Sequence, residues 1–162
     1  MIRVLFVCLG NICRSPTAQG LVASALEEAG LAGHVEVDSA GTHAYHVGEP
    51  PDPRAQAAAA RRGVDLAPLR ARRVEAADFE RFDYILAMDR ENLAHLQSIC
   101  PPGAEDKLRL FMSFAPDMGL DEVPDPYYGA SAGFDRVLDL IEAAAEGLIA
   151  DIRSRLEGRG VA

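Results

Sequence analysis

Ile2-Arg3-Val4-Leu5-Phe6-Val7-Cys8 runs directly into Leu9-Gly10-Asn11-Ile12-Cys13-Arg14-Ser15-Pro16. The first of these segments is a short apolar run, rich in Val, Ile, Leu and Phe and bounded by Gly10, so residues 2–8 read as a buried strand. Ser15-Pro16 reads as a helix start, because proline is tolerated where the backbone N–H has no intrahelical partner anyway. Ala18, Leu21, Val22, Ala25, Leu26 and Ala29 then recur at helical spacing, and Gly30 offers a left-handed stop. A strand, a tight loop and a helix start in immediate succession are the opening of an α/β unit.

The pattern repeats along the chain. Val35–Ser39 reads as a strand, Arg54–Arg62 as an Ala-rich helix ended by Gly63, and Tyr84–Met88 as a strand followed by a helix from about Arg90 to Ser98. Leu108–Met112 reads as a fourth strand. A closing helix covers about Phe134–Leu156, with Leu138, Ile141, Ala145, Leu148, Ile152 and Leu156 on one face. Strands alternating with helices imply a parallel sheet covered on both faces. Ligands of such sheets bind beyond the carboxyl ends of the strands, which makes Cys8–Ser15 the default site.

Composition bounds the function. The 162 residues suit one domain, residues 1–162, with a single sizeable core. A net charge of −9 argues against nucleic acid or an anionic membrane as partner. No apolar run approaches the length of a membrane span, and the start lacks the basic leader and cleavage site of a secretory signal. Three cysteines form no disulfide framework, so a cytoplasmic, reducing location is expected. Arg70, Arg72 and Arg73 gather in one stretch and read as a solvated face.

The loop has the parts a phosphoryl-accepting thiol needs. The nucleophile must be a thiolate, whereas a free cysteine has a pKa of about 8.5; a helix N-terminus and a guanidinium both favour the anion. Backbone N–H groups converging at a helix start make an anion nest, and Gly10 and Asn11 are residue types that accept the positive φ this requires. Arg14 offers a planar fork for two phosphate oxygens. Ser15 is placed to hydrogen-bond the sulfur.

Cys8-Leu9-Gly10-Asn11-Ile12-Cys13-Arg14-Ser15-Pro16 resembles the active-site signature of the low-molecular-weight protein tyrosine phosphatases. Asp38-Ser39-Ala40-Gly41, Pro51-Asp52-Pro53-Arg54-Ala55, Phe82-Asp83-Tyr84-Ile85-Leu86-Ala87-Met88-Asp89 and Asp125-Pro126-Tyr127-Tyr128 resemble further family segments, in the expected order. The resemblance implies a flavodoxin-like three-layer sandwich with a four-stranded parallel sheet of order 2-1-3-4. It also implies hydrolysis of phosphotyrosine, or of small aryl phosphates, without metal or other cofactor, through a phosphocysteine on Cys8, with inorganic phosphate as product.

Among 25 acids, the resemblance selects Asp125 as general acid and then base, since Asp125-Pro126-Tyr127-Tyr128 matches the family's acid loop. Leu9, Gly10, Asn11, Ile12, Cys13 and Ser15 are the expected phosphate-binding residues. Tyr45 and Tyr127 match the aromatic walls of the family's substrate slot. The resemblance further implies a reversible Cys8–Cys13 disulfide, bracing of the loop by Asn11 and Ser39, and, as in some relatives, phosphorylation of Tyr127 or Tyr128. A monomer or weak dimer is expected.

Four rival readings are weaker. A catalytically dead phosphate-binding module is disfavoured because nucleophile, arginine and acid are all intact. Arsenate reductases coupled to thioredoxin share the Cys-x5-Arg loop but need two later cysteines, and only Cys100 follows Cys13. Protein-arginine phosphatases carry Thr where Ile12 stands and lack the tyrosine pair after Asp125-Pro126. His43 and His46 have no third ligand nearby for a catalytic zinc. Leu69, near a position where eukaryotic relatives often have His, and the stretch Asp65–Arg73, slightly longer than usual, depart from the family pattern and bear on surface recognition.

Overall fold

The computed structural model describes residues 1–127 and 132–160. Its elements are β1 (Ile2–Cys8), α1 (Arg14–Glu28), β2 (Val35–Gly41), α2 (Pro53–Ala60), α3 (Asp78–Arg81), β3 (Tyr84–Ala87), α4 (Arg90–Ile99), β4 (Leu108–Leu110) and α5 (Ala132–Gly158). The four strands are parallel and lie in the order β2-β1-β3-β4. This is the expected flavodoxin-like arrangement.

Strand β1 organises the molecule. Ile2, Val4, Phe6 and Cys8 point into a core shared with α1, α2 and α5, whereas Leu5 and Val7 point into a second core built with Phe79 of α3 and Leu96 of α4. The alternation follows from the two-residue period of a strand, and a strand covered on both sides has no need of polar residues. Arg3 is the exception and is exposed; its side chain pairs with Glu36, and its backbone N–H donates to Asp83. The predicted face of α5 is also the observed one: Leu138, Ile141, Ala145, Leu148, Ile152 and Leu156 are all buried.

The ends of β3 and β4 fall short of the sequence reading for a physical reason. Strand β4 ends at Leu110, and Phe111–Phe114 forms a 3-10 turn instead of continuing. Its partner β3 stops at Ala87: the Met88 N–H donates to Val7 and its carbonyl accepts from Val123, so no ladder remains for residue 111 to join. Phe111 instead buries its ring edge-on against Phe6, centroids 5.1 Å apart. The short helix α3 was not expected, and β2 extends two residues past Ser39 to Gly41.

The register brings Cys8 opposite Gly41, at the carboxyl ends of β1 and β2. A Cβ at position 41 would meet the Leu9 carbonyl at 2.9 Å and the Gly10 carbonyl carbon at 3.2 Å, so only glycine lets the loop after β1 pass this close. The segment from Ala71 to Asp78 closes over the same end. Arg72 was read as part of a solvated face, but its guanidinium bonds Asp38 and the buried Asp78 at 3.0–3.2 Å. Asp78 in addition accepts the Glu75 N–H at 2.7 Å.

Removing one partner of a fully buried ion pair costs about 3–5 kcal/mol, and partial exposure of the other partner reduces this. The Arg72 side chain is 30% exposed. Asp78→Ala is therefore expected to lower stability by about 2 kcal/mol in urea or thermal unfolding; a loss below about 0.5 kcal/mol would show that this cluster does not hold the segment in place.

Candidate active site

Asn11 is the one residue other than glycine with positive φ among the described residues, at 58°. It sits midway between the end of β1 and the start of α1, where the chain must turn sharply. The strained conformation is held from several sides. Asn11 Nδ2 donates to Ser15 Oγ at 2.8 Å and to Ser39 Oγ at 2.9 Å, and its Oδ1 accepts the backbone N–H of Arg72 at 3.0 Å. Ser39 Oγ in turn donates to Gln19 Oε1 at 2.7 Å. Bracing by Asn11 and Ser39 was expected; the parts played by Arg72 and Gln19 were not.

The loop carbonyls are tied outward. Cys8, Leu9, Ile12 and Cys13 accept from the N–H groups of Thr42, His43, Asp52 and Thr17. Among the described residues, the N–H groups of Gly10, Asn11, Ile12 and Cys13 have no acceptor within the protein. Helix α1 adds its own first turn, since its N-cap residue Cys13 supplies no side-chain cap. Unpaired N–H groups at the head of a fifteen-residue helix form a site for an anion.

Cys8 and Arg14 close this loop. Cys8 is buried, with its Sγ 2.9 Å from Ser15 Oγ. Because Ser15 Oγ already accepts from Asn11, its single hydroxyl proton is left to point at the sulfur. Arg14 is only 3% exposed. Its Nη1 donates to Asp89 at 2.6 Å and to the Val123 carbonyl at 3.0 Å, and its Nη2 lies 3.6 Å from Asp125 Oδ2. Burial works against its charge, but Cys8, Asp89 and Asp125 outweigh this and raise its pKa.

Asp89 was not singled out from the sequence as a site residue. It follows β3 and caps α4, accepting the Asn92 N–H at 2.8 Å while Asn92 accepts in return from its backbone. The Asp-x-x-Asn spacing after a buried strand was the available signal, and it points to a helix cap. Nothing local indicates that the second oxygen holds an arginine 75 residues away.

The cleft is lined by Cys8, Leu9, Gly10, Ile12, Cys13, Arg14, Tyr45, His46, Asp125 and Tyr127. At about 100 Å³ it suits a compact head group, not a whole drug-sized ligand. Asn11 and Ser15 stand behind this wall, braced as described. Tyr45 is 69% exposed and stacks on His43 with ring centroids 5.1 Å apart. Tyr127, across the cleft, donates its N–H to Asp125 Oδ1 at 3.0 Å. His46 is the pocket residue that the sequence reading missed. It pairs with Glu49, its ring lies 6.1 Å from that of Tyr127, and a Cβ at Gly10 would press on it at 2.9 Å. Tyr128 lies outside the described residues.

The two loop cysteines differ sharply. Both are free thiols. Burial pushes the Cys13 thiol far up from its ordinary value, with Asp52, Cys8 and Asp125 adding to the effect and Arg54 opposing it. Cys13 is thus a neutral thiol throughout the physiological range. Cys100, at the C-terminal end of α4, is pushed up more mildly, again first by burial.

The profile of the family described as low molecular weight phosphotyrosine protein phosphatase matches residues 3–157. A low molecular weight protein-tyrosine-phosphatase of Streptomyces coelicolor is 44% identical over 160 residues, covering 97% of each chain. The Homo sapiens low molecular weight phosphotyrosine protein phosphatase is 40% identical over 136 residues, covering 83% of this chain and 85% of the relative. The crystal structure of a protein tyrosine phosphatase from Entamoeba histolytica superposes with a TM-score of 0.92 at 40% identity, covering 95% of this chain and 98% of that one. With the loop, the sheet order and these likenesses in agreement, the chain belongs to the low molecular weight phosphotyrosine protein phosphatase family.

Proposed function

We propose that residues 1–162 act as one protein tyrosine phosphatase domain that hydrolyses phosphotyrosine, with Cys8 as nucleophile, Arg14 as phosphoryl-binding cation and Asp125 as general acid and base. The observation that carries this reading is the meeting of Cys8 and Arg14, at the two ends of one anion-binding loop, with Asp125 from a segment far along the chain. Arg14 follows the Cys8 loop directly, and its guanidinium reaches to 3.6 Å from Asp125.

In the first step the Cys8 sulfur attacks phosphorus, an S–P bond forms, and the P–O bond to the phenol breaks. The departing oxygen takes its proton from Asp125. In the second step water attacks phosphorus, the S–P bond breaks, and Asp125 takes the proton released by the water. Ser15 hydrogen-bonds the sulfur as it regains its negative charge. The N–H groups of Gly10, Asn11, Ile12 and Cys13 and the Arg14 fork hold the non-bridging oxygens, where charge is spread in the transition state. Asp89 keeps Arg14 from folding away. Leu9, Tyr45 and Tyr127 flank the ring of the substrate.

The neutral Cys13 does not compete as nucleophile, which leaves the loop with one reactive sulfur. The reading needs no metal, since backbone N–H groups and Arg14 supply the positive potential. The acidic net charge of −9 supports phosphorylated protein or small aryl phosphate as substrate over nucleic acid or anionic membrane. Among the described residues no helix is long and apolar enough to cross a membrane.

The decisive assay compares peptides carrying phosphotyrosine, phosphoserine and phosphoarginine. Phosphotyrosine is expected to turn over fastest, and faster release from phosphoarginine would move the chain to another specificity. Cys8→Ser is expected to abolish turnover while inorganic phosphate still binds. Asp125→Ala is expected to lower kcat by about 10²–10⁴-fold.

Alkylation followed by mass spectrometry tests the division between the cysteines. Because its thiol is pushed upward, Cys13 is expected to resist iodoacetamide from pH 6 to about 9, while Cys8 is modified and activity is lost in proportion. Modification of Cys13 first would contradict the assignment.

A further inference from the structure

Arg54 belongs to neither the anion loop nor the sheet, yet it joins two loops that meet at the cleft. It is the second residue of α2. Its Nε and Nη2 grip the two oxygens of Asp52 at 3.1 and 3.0 Å, and Nη2 donates in addition to the Tyr127 carbonyl at 2.7 Å. The guanidinium also lies 5.8 Å from the centre of the Tyr127 ring and 4.8 Å from that of Phe134 on α5. One planar cation thus spans a carboxylate, a peptide carbonyl and two aromatic rings, which an ammonium cannot do.

Both ends of this link are anchored. Asp52 is buried, caps α2 by accepting the Arg54 N–H at 2.8 Å, and donates its own N–H to the Ile12 carbonyl at 2.8 Å. Burial raises the Asp52 carboxyl pKa, but the Arg54 fork and the backbone donors outweigh it and hold the group below the usual carboxylate range. At the other end the Tyr127 N–H donates to Asp125 Oδ1 at 3.0 Å. A continuous path therefore runs from Ile12 in the Cys8 loop through Asp52, Arg54 and Tyr127 to Asp125. On its inner side the same segment is held by Arg14, whose Nη1 donates to the Val123 carbonyl at 3.0 Å.

We propose that Arg54 is a positioning residue: it seats the Asp125–Tyr127 segment against the Cys8 loop, so that the carboxyl group reaches the departing oxygen and the Tyr127 ring meets the substrate. The inference rests on the reading of Asp125 as general acid. A displaced acid has a particular signature. It slows esters of weakly acidic phenols, whose oxygen needs the proton, far more than esters of acidic nitrophenols, whose oxygen leaves unaided. Loss of simple structural support would slow both alike.

The test measures kcat/KM over a series of aryl phosphates, from nitrophenyl to unsubstituted phenyl, with inhibition by inorganic phosphate as a control on the anion site. Arg54→Ala is expected to lose about tenfold or more on phenyl phosphate and only a few-fold on nitrophenyl phosphate, since displacement of about an ångström is enough for such losses. Phosphate inhibition is expected to stay within about twofold. Asp52→Asn keeps a side-chain oxygen to cap α2 while weakening the grip on Arg54, and is expected to change in the same direction by less.

Asp125→Ala calibrates the series. A steep leaving-group dependence in Asp125→Ala, with equal losses across the series in Arg54→Ala and Asp52→Asn, overturns the positioning role. Weakened phosphate inhibition in Arg54→Ala overturns it too, by placing Arg54 in the anion site. A leaving-group dependence unchanged in Asp125→Ala overturns the general-acid reading itself, and the inference with it.

Discussion

The site depends on one backbone constraint: the chain between β1 and α1 turns so that the Leu9 and Ile12 carbonyls bond outward and the N–H groups of Gly10 to Cys13 are left without acceptors among the described residues. Unpaired backbone donors inside a protein are costly, each comparable to a lost hydrogen bond. A protein tolerates them in series only where something else accepts the bonds. Here the acceptor that fits is a small oxyanion, drawn by the donors and by the head of α1 together. The left-handed Asn11, the glycine at position 41 and the clamp around Arg72 all serve to hold this turn.

The electrostatics explain how a strongly acidic protein can handle an anion. Local potential, not net charge, decides at the loop: backbone N–H groups and one buried guanidinium lie within a few ångströms, while most carboxylates lie on the surface and are screened by solvent. Arg14 must be held without being neutralised for this work. Asp89 and the Val123 carbonyl take one of its terminal nitrogens, and the other faces Asp125. Cys13 is disfavoured as an anion, first by its burial and then by Asp52, Cys8 and Asp125, which all oppose a further negative charge.

Much of this was legible in the sequence because it rests on local rules. The alternating burial of β1, the face of α5 and the strand–loop–helix sequence around Cys8 follow from periodicity and from the preferences of glycine and proline. What escaped the sequence rests on distant chain crossing a local element. Leu108–Met112 is shortened because Val123 takes the Met88 carbonyl. Asp89 looks like a helix cap and is one, while its other oxygen serves Arg14. Arg72 lies in a basic run that reads as solvated face, and its actual partners Asp38, Asp78 and Asn11 lie on β2, at the start of α3 and in the Cys8 loop. His46 enters the cleft because Gly10 leaves room for its ring, which no spacing rule announces.

The chemistry proposed for the loop turns on transfer of a phosphoryl group to the Cys8 sulfur. Rapid acid quenching during turnover of a phosphotyrosine peptide, followed by peptide mass spectrometry, tests it most directly. One phosphoryl group is expected on Cys8, formed within the first turnover and decaying at the rate of phosphate release. Steady phosphate release with Cys8 never modified, or with the phosphoryl group on another residue, would contradict it.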